Sequence, residues 1–253
     1  MPYPAHVSDA AYCYDGSYAG FLCCIFESYT RREIPSAVLG LAEGQITLFG
    51  TEAIATDPTH ARRVANGLTR LGPMVRERVM TGFLSTEEEK DLILLRFARR
   101  CFDEGPRAVQ MLGDPDVHAA FVLERNVNNE VCRFIEFIRF EEKDGMLGSV
   151  IHPKNNVLPL LRGHFCSRLP DEDFLIFDAA HGTALLRQSG HVQYLAMEHY
   201  EPARDADELN WQALWKRFFH ALTIEERRNA KAQMNHAPKR FWGGMVEMRE
   251  PYI

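Results

Sequence analysis

No stretch of the sequence approaches the roughly 18 consecutive apolar residues that a membrane helix needs. The opening, MPYPAHVSD, is too polar for a secretory signal. The six cysteines never form a C-x-x-C pair, which leaves a structural zinc site or an iron–sulfur cluster of ordinary spacing unsupported. Neither G-x-G-x-x-G nor G-x-x-x-x-G-K-[ST] occurs, and H-E-x-x-H, G-x-S-x-G and the H-x-E/P-C-x-x-C pair are missing too. There is no internal repeat and no low-complexity tract. These absences predict a cytoplasmic protein away from membranes, with no metal and no cofactor, whose cysteines are reduced thiols serving mostly as small core residues. The ten histidines do not cluster: His164 and Cys166 point to different faces of a predicted helix, and His199 with Glu201 is a weak pair.

What is present describes a folded chain. Hydrophobic residues make up 46% and charged residues 25% of 253, enough for one large domain or two small ones with a sizeable core. The net charge of -6 argues against a protein that coats nucleic acid by bulk charge. The charge is uneven, however: from Trp211 onward there are eight Lys/Arg against four Asp/Glu. A local cationic surface still binds phosphates, because attraction is screened only beyond about 8–10 Å in physiological salt.

Local signals set the elements. Tyr12–Tyr14 reads as a short strand ended by Asp15–Gly16, and Ser17 as the N-cap of a helix with Phe21, Leu22, Ile25, Phe26 and Tyr29 on one stripe. Ile46–Phe49 is a second strand. Helices start at Asp57–Pro58, at Pro73, at a Ser85/Glu88 capping box and run to Gly105, and at Asp114–Pro115 through Arg125. Alternation over Phe134–Phe140 predicts a strand, returning after the Lys143–Gly145 turn as Met146–Ile151. A helix over Asn156–Leu169 precedes strands at Phe174–Asp178, Thr183–Arg187 and Val192–Ala196, joined by hairpins. After an acidic linker, Glu201–Glu208, the stripe Trp211, Leu214, Trp215, Phe218, Phe219 and Leu222 predicts a helix buried in the core. The expectation is an α+β fold: an antiparallel sheet of about five strands with helices packed before and after it. Residues 1–110 form a mostly helical region with short strands, and residues 111–253 hold the sheet and the C-terminal helices.

Two constellations bear on chemistry. Asp15, between a strand and an aromatic helix, either caps the helix N-terminus or serves as an acid/base, with Glu27 as the nearest carboxylate to join it. In the tail, Arg227 and Lys231 are spaced i, i+4 beside Arg228, and Lys239, Arg240, Phe241 and Trp242 come after Pro238. Interleaved basic and aromatic side chains suit phosphate neutralisation and base stacking; a solvated basic face with the aromatics turned inward is the plainer alternative.

Three stretches together resemble a known family: Y-C-Y-D-G-S-Y-A-G-F-L-C-C-I-F-E-S (Tyr12–Ser28), R-F-I-E-F-I-R-F (Arg133–Phe140), and L-W-K-R-F-F-H-A-L-T-I-E-E-R-R-N-A-K-A-Q (Leu214–Gln233) with P-K-R-F-W (Pro238–Trp242). They are similar to the DNA metabolism and repair proteins that carry the DUF4130 domain, over nearly the whole chain. The resemblance implies a partner that is a radical S-adenosylmethionine (radical SAM) DNA modification or repair protein, and a link to uracil-DNA glycosylase-like domains, to which some relatives are fused. It implies no established reaction. The motif positions are Asp15, Gly16, Arg139, Arg227, Asn229, Pro238, Arg240 and Trp242. At Glu130–Arg133 the text is E-V-C-R, with Cys132 where relatives often have histidine, so a chemical role for that histidine does not transfer.

The expected function is therefore a DNA-binding accessory or adaptor to a radical SAM DNA-modifying enzyme, contacting DNA through Arg139, Arg227, Arg228, Lys231, Lys239, Arg240 and Trp242. The alternative is an enzyme acting directly on nucleic acid, with Asp15 as acid or base and Arg139 or Arg168 holding a phosphate. A third reading has the basic tail docked on an acidic protein.

Overall fold

The structure, a computed structural model, describes residues 6–40, 50–201, 206–227 and 229–248. The chain divides into two compact units, residues 1–128 and 129–253. The strand expected at Ile46–Phe49, Arg228 and part of the acidic linker lie outside the described residues.

In the N-terminal unit the chain runs through β1 (His6–Val7), β2 (Ala11–Tyr14), α1 (Tyr18–Thr30), β3 (Glu33–Ile34), β4 (Ala37–Gly40), β5 (Thr51–Ala53), α2 (Pro58–Leu71), α3 (Pro73–Phe83), α4 (Lys90–Glu104) and α5 (Pro115–Phe137), the last of which continues past residue 128. β2 is the centre of a three-stranded parallel sheet ordered β4-β2-β5, and all four of its residues are buried, as a parallel sheet covered on both faces requires. A short parallel ladder joins β1 to β3. Gly16 turns with φ 78°, and Ser17 Oγ accepts from Gly20 N at 2.9 Å to start α1. Asp57 caps α2 in the same way, accepting from Thr59 N and His60 N. The Ser85/Glu88 box does not open α4. Ser85 N is bonded to Gly82 O at the end of α3, its side chain is buried, and the helix begins only after Glu89 at φ 60°.

Two buried arginines brace this unit. Arg99 Nη1 donates to Ser28 O, Ser28 Oγ and Glu33 O, and its guanidinium lies 4.2 Å from the Tyr29 ring centre. Arg78 donates to Glu124 and to Val109 O.

The segment expected as a strand at Phe134–Phe140 is instead the end of the 23-residue α5, which runs to Phe137. The buried positions Val117, Ala120, Leu123, Val127, Val131, Phe134 and Ile138 are spaced three or four apart, so the helical period simply continues through the alternating stretch.

The C-terminal unit continues with β6 (Glu141–Lys143), β7 (Met146–Ile151), α6 (Leu158–Arg168), β8 (Asp173–Asp178), β9 (Thr183–Gln188), β10 (His191–Ala196), α7 (Ala206–Leu222) and α8 (Ala230–His236). Short 3-10 turns occupy Glu225–Arg227, Lys239–Gly244 and Val246–Met248. The five-stranded sheet is ordered β10-β9-β8-β7-β6. It is mixed, where a mainly antiparallel one was expected: β7 and β8 are parallel, because α6 carries the chain across between them. The two-residue turns Asp144–Gly145 and Ser189–Gly190 have positive φ at both positions, the geometry that matches hairpin twist. Phe174, Ile176 and Leu185 of the sheet and Leu161 and Phe165 of α6 are fully buried.

The stripe on α7 forms a helix as expected, yet it is not core. Trp211 is 68% exposed, Leu214 55%, Trp215 43%, Phe218 52% and Leu222 64%, and no residue of α7 is buried. Helical periodicity places side chains on one face; it does not say what covers that face.

Candidate functional site

A cleft of about 200 Å³ opens in the C-terminal unit. Among the side chains and backbone that line it are Arg139, Ser149, His152, Arg240, Gly243 and Gly244. Three pieces of chain deliver them. Arg139 lies just past the last turn of α5, where its Nη1 donates to the carbonyls of Glu136 and Ile138, as a cation at a helix C-terminus does. Ser149 and His152 come from β7 and the residues just beyond it. Arg240, Gly243 and Gly244 come from the 3-10 turn at Lys239–Gly244, which is pinned to α5 by the buried Phe241, edge-on to Phe134 at 5.0 Å.

Beside Arg240 lies Glu130, 2% exposed. Its carboxylate accepts from Lys154 N at 3.0 Å, Asn155 N at 2.8 Å and Asn155 Nδ2 at 2.7 Å, and Arg240 Nη1 stands 3.5 Å from it. One carboxylate thus ties α5 to the 154–155 loop and backs the Arg240 guanidinium, which is itself 53% exposed and 4.7 Å from the Phe241 ring centre. A guanidinium has five donors in a fixed fork, so Arg240 keeps donors for a planar or tetrahedral oxyanion. With Arg139 also among the residues that line the cleft, and two glycines that permit close backbone approach, the arrangement is suited to bind an anion.

The sequence-selected residues are distributed unevenly around this cleft. Arg139 and Arg240 come together in it. Lys239 is exposed on the same 3-10 turn, 5.8 Å from the Trp242 ring. Trp242 is half-buried, and its indole N–H donates to Ala237 O at 2.7 Å, so only part of its ring is left to stack. Arg227 and Lys231 are exposed but do not share one helix face: Arg227 ends a 3-10 turn, and α8 starts only after Asn229, whose Oδ1 accepts from Ala232 N. Arg168 is exposed in the last turn of α6 and does not line the cleft. Cys132 is exposed on α5.

Asp15 belongs to the N-terminal unit. It accepts from Ser17 N at 2.9 Å and from Thr56 Oγ1 at 2.7 Å, and hydrogen bonds from Ser17 and then Thr56 hold its carboxyl below the usual carboxylate range. A general acid or base working at neutral pH needs the opposite shift. Glu27 pairs with Arg31 at 3.3 Å, about 14 Å along α1 from the helix start. The two carboxylates do not meet.

Glu130 escaped the sequence reading as a site residue, although one signal was available: a carboxylate within the apolar stripe of α5, between Val127 and Phe134. Among the described residues no three His, Cys, Asp or Glu side chains converge to hold a metal, and no helix is long and apolar enough to cross a membrane.

Fold and cleft define an α+β protein whose C-terminal unit presents a cleft lined in part by Arg139 and Arg240. The chain belongs to the DUF4130 family, a domain of unknown function whose model matches residues 88–247, more than half of the sequence. Comparison with curated proteins and with solved structures returns no match.

Proposed function

We propose that this protein is a nucleic-acid-binding accessory or adaptor in DNA metabolism or repair, working beside a radical SAM DNA-modifying enzyme. The observation that supports this best is the pairing of Arg139 and Arg240 in one cleft, with Arg240 backed by a buried carboxylate and still half exposed. In this reading the two guanidinium groups take a backbone phosphate, and the exposed Arg227, Lys231 and Lys239 add screened attraction along the strand. The resemblance to DNA metabolism proteins supplies the partner class; the cleft supplies the chemistry. The alternative, an enzyme that uses Asp15, has less support, because Ser17 and Thr56 already occupy that carboxylate.

The test is fluorescence anisotropy of labelled single- and double-stranded DNA, titrated with salt. Binding should weaken linearly in log salt, and Arg139→Ala and Arg240→Ala should each lower the slope by about one. Unchanged affinity and slope in the double variant would remove the cleft from DNA recognition.

A further inference from the structure

The exposed face of α7 is independent of the cleft and carries no part of the proposed DNA contact. We propose that it is a self-association surface, on which a second copy of this chain packs its own α7 antiparallel to the first.

The first observation is area. Trp211, Leu214, Trp215, Phe218 and Leu222 are 43% to 68% exposed, and at 100° per residue they fall within an arc of about 100°. Given 150–250 Å² for a fully exposed aromatic, the five leave on the order of 550 Å² of contiguous apolar surface. That is at the upper end of what a monomer shows to water. A standard interface takes roughly 800 Å² from each partner, and homodimer interfaces are about two-thirds apolar. The stripe supplies about that apolar share.

The second observation is the order of the side chains. Trp211, Leu214 and Trp215 are mirrored in spacing by Phe218, Phe219 and Leu222 about a point between Lys216 and Arg217. A two-fold axis through that point sets Trp211 opposite Leu222 of the second copy, Leu214 opposite Phe219 and Trp215 opposite Phe218. An isologous contact pairs residue i with j and j with i about a two-fold axis, and this spacing lets each such pair be apolar against apolar. The stripe itself contains no charged side chain.

The third observation is order in the free surface. Trp215 Nε1 donates to Glu247 Oε2 at 3.0 Å, and the Phe218 ring lies 5.8 Å from that of Trp215. Part of the conformational entropy that association removes has therefore already been given up in the single chain.

The test is sedimentation velocity on the full chain from about 1 to about 100 µM, the range in which an interface of this size populates a dimer. A dimer should form, and it should persist in 1 M salt, on the order of the ionic strength that removes phosphate contacts. The double variant Phe218→Glu/Leu222→Glu should weaken association at least about thirtyfold with an unchanged circular dichroism spectrum. As a second measurement, in a Cys132→Ser background, Trp211→Cys/Leu222→Cys should oxidise to a covalent dimer. Each single cysteine should not, because identical positions lie about 17 Å apart along the antiparallel pair. A chain that stays monomeric throughout, a dimer untouched by the glutamates, or equal cross-linking in the single variants would overturn the proposal. None of these outcomes depends on DNA binding.

Discussion

Replacing Glu130 with alanine is the sharpest single test of how the C-terminal unit is held together. The carboxylate is 2% exposed and accepts three hydrogen bonds of 2.7–3.0 Å from Lys154 N, Asn155 N and Asn155 Nδ2, with Arg240 beside it. Hydrogen bonds to a charged acceptor contribute about 1.5–3 kcal/mol each, and three on one group do not add fully. Removing the acceptor takes one partner from each of three donors, at about 1–3 kcal/mol apiece and less than additively, so we expect Glu130→Ala to lose about 3–5 kcal/mol. This is a large share of the ~5–15 kcal/mol that holds a domain folded. Glu130→Gln keeps the shape but turns one acceptor into a donor, and should fall between alanine and wild type. Urea unfolding monitored by tryptophan fluorescence reads the effect in the right place, since Trp211, Trp215 and Trp242 all lie in the C-terminal unit. The control is Glu136→Ala, which removes a surface pair with Arg133 at 3.1 Å and should cost less than about 1 kcal/mol. If the two alanine variants shift the midpoint equally, the idea that Glu130 ties helix, loop and Arg240 together is wrong.

Other perturbations test other parts. Tyr14→Phe removes the hydroxyl that donates to Asp91 Oδ2 at 2.8 Å, and should cost about 1.5–3 kcal/mol at pH 7. Burial raises the Asp91 carboxyl above its unfolded value, and the Tyr14 hydroxyl partly offsets that. A raised carboxyl penalises the fold as pH rises through its folded value, and losing the donor raises it further. The variant's deficit should therefore be small below about pH 4 and grow toward neutral; a pH-independent deficit in thermal melts would contradict this. Arg99→Lys replaces a fork that reaches Ser28 O, Ser28 Oγ and Glu33 O with a single ammonium, and should lose about 2 kcal/mol by chemical denaturation. A loss under about half of that would show that the fork's geometry is dispensable. At Gly148 an added methyl would meet the Tyr200 hydroxyl and lie 2.9 Å from its Cζ. Gly148→Ala should thus be milder in a Tyr200→Phe background, with a coupling above about 1 kcal/mol; strict additivity would refute the contact.

Much of this architecture was written in local chemistry. Ser17 and Asp57 sit where their oxygens meet free helix N–H groups, and Asp144–Gly145 and Ser189–Gly190 have the conformational freedom that two-residue hairpins demand. The errors came where a local pattern had two readings. Phe134–Phe140 alternates like a strand, but the apolar spacing already running from Val117 extends through it as helix. The parallel pairing of β7 with β8 depends on where α6 crosses, which no local pattern records. Arg227 and Lys231 have helical spacing, yet Asn229 caps a new helix between them. The cleft was half legible: Arg139 and Arg240 stood out by charge and motif. Glu130 was hidden because its importance lies in bonds to residues 24 and 25 positions away.

The apolar cluster of the N-terminal unit has a consequence for how the chain is made. Its buried members run from Tyr12 to Leu123, so every side chain it needs has been joined before residue 129 is added. At about 5–20 residues per second, the ribosome takes on the order of ten seconds to synthesise the C-terminal unit. That interval is long against the millisecond-to-second closure of a mixed α/β core. The first half of the protein can therefore close its own apolar cluster while the strands of the second sheet are still being translated.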